Sequence, residues 1–335
     1  MAKIGRTKVH GIPSGFEELK YSLDGVILNY VVGPDNGLPL LLIPGQMESW
    51  QGYKRVMPGL SERFHVFVPD LRGHGQSTRT PGQYSYNICG EDLKQFLREV
   101  IRKPAIVAGL SSGGVLAIWL GAYAPEDVLA VIGEDPPIFS SIWPRIRDEK
   151  FLSRNFELAL EFLGKPGERD VEGYLSHMGA PAPGKDELLM IPTFIIKIIF
   201  LIDRVNRALR PNRPYDLPLM PYNMRVGYKF LSEYDTDFSR ATLDGDLSKD
   251  FSPEDALKKV KCPVLLLRAD AFSHETWGLV GAISDDDLER VITLVEDLRV
   301  VHIPGGHEIH IAQPRRYIDE LTCFVDDLAD KNKLV

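Results

Sequence analysis

The stretch that most constrains this chain is Ala105-Ile106-Val107-Ala108-Gly109-Leu110-Ser111-Ser112-Gly113-Gly114. A short apolar strand ends at Gly109, Ser111 sits at the centre of Gly-x-Ser-x-Gly, and Val115-Leu116-Ala117-Ile118-Trp119-Leu120 reads as a buried helix. A serine on so sharp a strand-to-helix turn has strained backbone angles, so its neighbours must lack bulk, which Gly109 and Gly113 supply. The helix that opens there directs free backbone N–H groups at the reacting centre. The arrangement is a nucleophile elbow, with Ser111 as the expected nucleophile.

A serine nucleophile needs a base, an acid and an oxyanion site. Near the C-terminus, Val300-Val301-His302-Ile303-Pro304-Gly305-Gly306-His307-Glu308-Ile309-His310 carries a strand into two glycines and then His307. A histidine on a glycine-rich loop at a strand end is free to reach across to Ser111, so His307 is the expected base. His310 falls inside the incoming helix and reads as a packed or hydrogen-bonded supporting residue; His302 reads as structural. Upstream, Leu40-Leu41-Leu42-Ile43-Pro44-Gly45-Gln46 ends a buried strand in a glycine turn. The oxyanion donors are then the backbone N–H of Gln46 (or Gly45) and that of Ser112.

Taken together, these segments resemble the α/β-hydrolase superfamily over nearly the full length of the chain. The resemblance is strengthened by Asp70-Leu71-Arg72-Gly73-His74-Gly75-Gln76-Ser77, in which Asp70, Arg72 and Ser77 read as a hydrogen-bonded structural turn. Within that superfamily the chain is similar to the longer bacterial zearalenone lactone hydrolases. The shared stretches are Gln46…Ser49-Trp50, Phe64-His65-Val66-Phe67, Arg72-Gly73…Gly75…Ser77-Thr78…Thr80-Pro81, Ser111-Ser112-Gly113-Gly114, Glu134-Asp135…Pro137 and His274-Glu275-Thr276…Gly281-Ala282-Ile283-Ser284-Asp285. The resemblance implies hydrolysis of an ester or lactone of a bulky apolar compound, a zearalenone-type macrolactone among them, with no metal and no organic cofactor.

Three carboxylates compete for the acid. After Val264-Leu265-Leu266-Leu267-Arg268, where the superfamily usually carries Gly-x-x-Asp, this chain reads Ala269-Asp270-Ala271-Phe272, so Asp270 stands two residues short of the usual slot. After Val131-Ile132-Gly133 come Glu134 and Asp135, and the lactone hydrolases place a Glu at this point. Glu134 directly ends the apolar run. Asp135 precedes Pro136, which favours an extended backbone and points the side chain elsewhere. The expected order is Glu134, then Asp270, then Asp135.

The remaining pattern is that of an α/β fold with a mainly parallel sheet flanked by helices and an inserted helical lid. Expected strands are Glu17–Ser22, Val26–Val32, Leu40–Ile43, His65–Pro69, Ala105–Gly109, Val128–Gly133, Val264–Arg268 and Leu298–Ile303, with helices over 87–101, 285–295 and 314–328. At 335 residues, the chain divides into a core of residues 1–135 and 258–335 and a lid of residues 136–257, broken at Gly164-Lys165-Pro166-Gly167 and Ala180-Pro181-Ala182-Pro183-Gly184. The lid run from Leu188 to Ile202 holds Pro192 and Lys197 and is shorter than a membrane span, so stable membrane insertion is not expected. It reads as a helix packed over an apolar pocket, with a homodimer contact or reversible membrane contact as alternatives. Trp143, Phe194, Phe200, Tyr222 and Phe230 are the expected wall residues.

A net charge of −8 with no basic cluster argues against nucleic acid. Cys89, Cys262 and Cys323 are widely separated and lack metal-site spacing, which fits a reducing compartment. With no apolar leader run after Met1-Ala2-Lys3-Ile4-Gly5-Arg6, the expected location is cytoplasmic. Haloalkane dehalogenases and epoxide hydrolases need Asp at the elbow, and Ser111 argues against both. A carbon–carbon bond hydrolase, a cofactor-free haloperoxidase or a non-catalytic small-molecule receptor is compatible with the same residues.

Overall fold

A computed structural model of the chain describes residues 11–164, 169–182, 187–209, 217 and 220–333. The opening residues Met1 to Arg6 and the expected lid breaks at Lys165-Pro166-Gly167 and Pro183-Gly184 lie outside these. The chain opens with β1 (Glu17–Leu23), β2 (Val26–Val32) and β3 (Leu38–Ile43), then α1 (Met57–Leu60), β4 (Phe64–Pro69), α2 (Tyr86–Phe96), β5 (Ala105–Leu110), α3 (Ser112–Tyr123) and β6 (Val128–Glu134). It then leaves the sheet for α4 (Lys150–Leu158), α5 (Val171–His177), β7 (Gly179–Pro181), β8 (Leu188–Met190), α6 (Thr193–Leu209), α7 (Tyr222–Glu233), α8 (Asp237–Asp244) and α9 (Pro253–Lys259). It returns with β9 (Val264–Arg268), β10 (Phe272–His274), β11 (Gly278–Val280), α10 (Asp285–Leu294), β12 (Leu298–His302), α11 (Ile309–Ala312) and α12 (Pro314–Asp330).

The main sheet has eight strands in the order β1-β2-β4-β3-β5-β6-β9-β12. β1 and β2 are antiparallel, β2 is antiparallel to β4, and every pairing from β4 to β12 is parallel. The central strands are apolar along their whole length because helices cover both faces. Strand order reverses at β3, which lies between β4 and β5, and ligands of open α/β sheets bind at such a reversal, outside the C-terminal strand ends. Ile43 of β3 is paired with Gly109 of β5, so the turn after β3 and the elbow after β5 emerge side by side.

The Asp70 turn is structural, as read from the sequence. Its carboxylate accepts from the Trp50 and Gln76 backbone N–H groups at 2.8 and 3.0 Å and from the Asn29 amide at 2.9 Å, while Arg72 makes a bidentate pair with Asp92. This network fixes the segment that follows the β3 turn.

The run Leu188–Ile202 is not one helix. Leu188–Met190 pairs with Gly179–Pro181 as a small hairpin, and Pro192 separates it from α6. Ile196 and Phe200 are buried on the inner side of α6, whereas Phe194, Ile198, Leu201 and Val205 face outward. None of the described helices is long and apolar enough to cross a membrane.

Candidate active site

Ser111 occupies the elbow with φ 54° and ψ −125°, a left-handed backbone that a side chain adopts only when its surroundings impose it. The surroundings do so. The Ser111 N–H donates to the Glu134 carbonyl at 2.9 Å, and its own carbonyl accepts from Gly114 and Val115 as α3 begins. A Cβ on Gly109 would lie 2.2 Å from the Gly113 carbonyl oxygen, and one on Gly113 would lie 2.3 Å from that of Ile43. The two motif glycines therefore allow β3, β5 and α3 to close on one another. Gly45 lies close to the nucleophile but less tightly: its Cβ would stand 3.3 Å from that of Ser111.

Among the described residues, the backbone N–H groups of Gln46 and Ser112 have no acceptor within the chain, which leaves them available to an oxyanion. The Gly45 N–H faces Glu48 Oε2 at 3.4 Å. The Gln46 side chain is tied outward, donating to Tyr234 Oη at 2.9 Å and to Thr242 Oγ1 at 3.1 Å.

His307 follows β12 on the Gly305-Gly306 loop and, with Ser111, lines a cavity of about 440 Å³ above the strand ends. Its Nδ1 lies 2.7 Å from Asp135 Oδ2, while Asp135 Oδ1 accepts from the Ala269 N–H at 3.2 Å. Burial pushes the His307 imidazole down, but the Asp135 hydrogen bond and charge, with Glu308 and Glu134 adding to them, outweigh it and raise the group to about 9.

This geometry corrects the expected acid. Glu134 does not reach His307; both of its oxygens bind His310 Nδ1, at 2.9 and 3.0 Å, and one also accepts from the His310 N–H at 2.8 Å. Strand alternation explains the exchange. Ala130 and Ile132 face the cluster that contains Tyr53, Ile309 and Tyr317, and Glu134 continues that face. Asp135 comes one residue later, past the strand end. It is not extended as its position before Pro136 suggests but left-handed, with φ 43°, and its N–H is held by the Leu267 carbonyl at 2.7 Å. Asp270 does not join the pair: its carboxylate sits on the surface, bonded to His302 Nε2 at 2.8 Å and the Gly305 N–H at 2.9 Å.

The expected wall residues divide. Phe230 lines the cavity. Tyr222 lines a separate cleft beside His307 instead, with the Arg55 guanidinium over its ring. Phe200 stands one layer back, edge-on to the cavity residue Tyr228 at 5.6 Å. Phe194 does not line the cavity; it is 64% exposed because it lies on the outer side of α6. Trp143, 46% exposed, packs over Gly245 rather than the cavity. Sequence reading gave no role to Glu48 and Glu308, both of which line the cavity. The available signal was an acidic residue in each of two otherwise apolar or glycine-rich catalytic segments. Burial raises Glu48 to about 8 and also raises Glu308.

The protein family described as alpha/beta hydrolase fold matches residues 39–182. The chain is 38% identical over 94 residues to the magnesium-chelatase 30 kDa subunit of Rhodobacter capsulatus, a match that spans 28% of this chain and only 33% of that protein. Longer matches are to 2-(acetamidomethylene)succinate hydrolase of Mesorhizobium japonicum, 25% identical over 87% of this chain and 89% of that one, and to an esterase of Mycobacterium tuberculosis, 26% identical over 86% and 82%. Among solved structures, E-2-(acetamidomethylene)succinate hydrolase superposes with a TM-score of 0.61 at 19% identity, covering 93% of this chain and 99% of that one, a likeness of fold.

Proposed function

We propose that this chain, an α/β hydrolase by fold, cleaves neutral, bulky carboxylic esters or lactones through Ser111, His307 and Asp135. The observation that carries the reading is the 2.7 Å contact of Asp135 with His307 Nδ1 in the cavity that also holds the Ser111 elbow. With Nδ1 occupied, Nε2 is the nitrogen left to take the Ser111 proton. Ser111 Oγ then attacks the ester carbonyl, and the oxyanion accepts from the Gln46 and Ser112 N–H groups. His307 returns the proton to the leaving alkoxide, and a water activated by the same imidazole releases the acid from the acyl-enzyme. In a lactone the alkoxide stays tethered to the acyl group. The region between β6 and β9 serves as the lid.

The cavity lining supports the substrate class. Its described residues include Leu152, Phe156, Met178, Ile191, Met224 and Phe230 but no lysine or arginine that would pair with an anionic substrate. A dianion of the kind named for the succinate hydrolase relative therefore fits poorly, whereas a neutral ester suits the lining. A zearalenone-type macrolactone is the narrower candidate suggested by the sequence resemblance.

The test is a panel of aryl esters, long-chain esters, macrolactones and a succinate half-ester, assayed on wild type and Ser111→Ala. Multiple turnovers of neutral esters are expected, with a loss of at least about a thousandfold in Ser111→Ala. A fluorophosphonate should add its mass to wild type and not to the variant. Binding without turnover would favour a receptor, and labelling undiminished in Ser111→Ala would remove Ser111 as the nucleophile.

A further inference from the structure

On each of the three loops that supply the hydrolytic steps, an ionisable residue is left unused. Glu48 lies in the oxyanion turn, three residues after Gly45; Glu134 immediately precedes Asp135; His310 follows His307 by three. These three side chains converge. His310 and Glu134 are fully buried and joined by the three hydrogen bonds already described. The imidazole is stacked on Tyr53, with ring centroids 4.3 Å apart and planes 22° apart, and meets Tyr317 edge-on at 5.9 Å. On its other side it approaches Glu48: a Cβ on Gly52 would lie 3.4 Å from His310 Nε2 and 3.3 Å from Glu48 Oε2. The bare Gly52 leaves both groups room. His310 Nε2 and Glu48 Oε1 are buried and have no hydrogen-bond partner among the described residues.

We propose that Glu48, His310 and Glu134 form a positioning triad that holds the oxyanion turn, the acid-bearing end of β6 and the base-bearing loop in reactive register. The inference rests on the hydrolase reading above. The three loops leave three different strands, β3, β6 and β12, and one buried imidazole stands between side chains from the first two while belonging to the third. The groups facing it are the carboxyls of Glu134, Glu48 and Glu308 and the rings of Tyr53 and Tyr317. Burial pushes His310 down, but the Glu134 charge and hydrogen bond, with Glu48 and Glu308, raise it on balance, and burial raises Glu48. A buried polar array is tolerated only when its members pair with one another, as Glu134 and His310 do here. Removing any member strands a charge or donor at the junction of the three loops.

The test compares His310→Gln, Glu48→Gln, Glu134→Gln and the Glu48→Gln/Glu134→Gln double variant in the full chain. A displacement of reacting groups by about 1 Å costs about a hundredfold in rate, so kcat should fall about ten- to a hundredfold with KM within about twofold. The double variant should lose no more than the worse single one, because the residues act as one unit. A rise in KM at constant kcat, additive losses, or a folded His310→Gln within twofold of wild type would overturn the proposal. Should His310→Gln fail to fold, the isosteric Glu48→Gln decides the matter by the same criteria. A wild type that neither turns over esters nor takes the fluorophosphonate defeats the hydrolase reading instead. The triad is then judged by the proton resonance of His307 Nδ1, which should be present in wild type and lost in Glu48→Gln. Its persistence there would overturn the triad alone.

Discussion

His307 Nδ1 and Asp135 Oδ2 stand 2.7 Å apart, while Glu134, the residue just before Asp135, is bonded to a different imidazole. Two adjacent acids thus serve two histidines, and substitutions separate them. Asp135→Asn should lower kcat by about three to four orders of magnitude, since the acid of such a triad fixes the tautomer and stabilises the imidazolium. Glu134→Gln should cost far less, and Asp270→Asn, on the surface with His302, should stay within about threefold of wild type. Steady-state rates on one neutral ester, with folding checked by circular dichroism, give the ranking; a loss in Glu134→Gln equal to that in Asp135→Asn would return the acid to Glu134.

The pH profile follows from the same pair. Only neutral His307 accepts the Ser111 proton, so the rate must fall as pH drops through its pKa. Asp135 raises that group toward about 9, and the side chain, 39% exposed, lets solvent screen part of the charge. The acid limb is therefore expected above the ordinary histidine value of about 6.5 and no higher than about 9. In residual-activity measurements on Asp135→Asn it should move downward, because burial then acts without the opposing charge. For folding the sign is opposite. A raised histidine stabilises the native state fully below about 6.5, and that stabilisation is lost as pH rises through the folded value. Urea titrations of wild type against Asp135→Asn across that window measure it.

Substrate size should depend on Phe230 and not on Phe194. Phe230 lines the cavity, whereas Phe194 projects from the outer side of α6. Phe230→Ala should change KM for bulky esters more than kcat for a small acetate. Phe194→Ala should leave both substrates within about twofold of wild type. Phe200 is intermediate, since it supports Tyr228 from behind. Michaelis constants for a long-chain and an acetyl ester of one phenol distinguish these outcomes; an effect of Phe194→Ala confined to the bulky ester would place α6 over the cavity in solution.

What the sequence made legible and what it did not have different physical origins. The strands at 105–109 and 264–268 are apolar because helices cover both faces, and such runs are visible without a structure. Gly109 and Gly113 announce the elbow because a Cβ at either would strike backbone. The carboxylate that meets His307 was not legible, because one residue of strand alternation decides which of Glu134 and Asp135 faces it, and the left-handed backbone at Asp135 runs against the preference of a residue before proline. The wall residues of the insert were misread for a similar reason. An apolar helix run shows that some side must be covered, but only the packing of α6 decides that Ile196 and Phe200 turn inward and Phe194 outward.

The oxyanion turn gives the last prediction. In the proposed mechanism Gln46 supplies a backbone donor, and its side-chain amide is held from the far side by Tyr234 Oη at 2.9 Å and Thr242 Oγ1 at 3.1 Å. An oxyanion donor works because it is aimed before the charge develops, and losing one donor outright costs about a hundred- to a thousandfold. Tyr234→Phe removes one of the two anchors and leaves Thr242, so kcat should fall about three- to tenfold with KM for a small acetate unchanged. Ser239 also loses its 2.8 Å contact with the Tyr234 hydroxyl, which should lower stability by about 1–3 kcal/mol. A Tyr234→Phe/Thr242→Val double variant frees the amide completely and should approach the loss of a whole donor. Unchanged kcat in that double variant, with folding intact by thermal denaturation, would show that Glu48 and the β3–β5 pairing hold the turn without help from the insert.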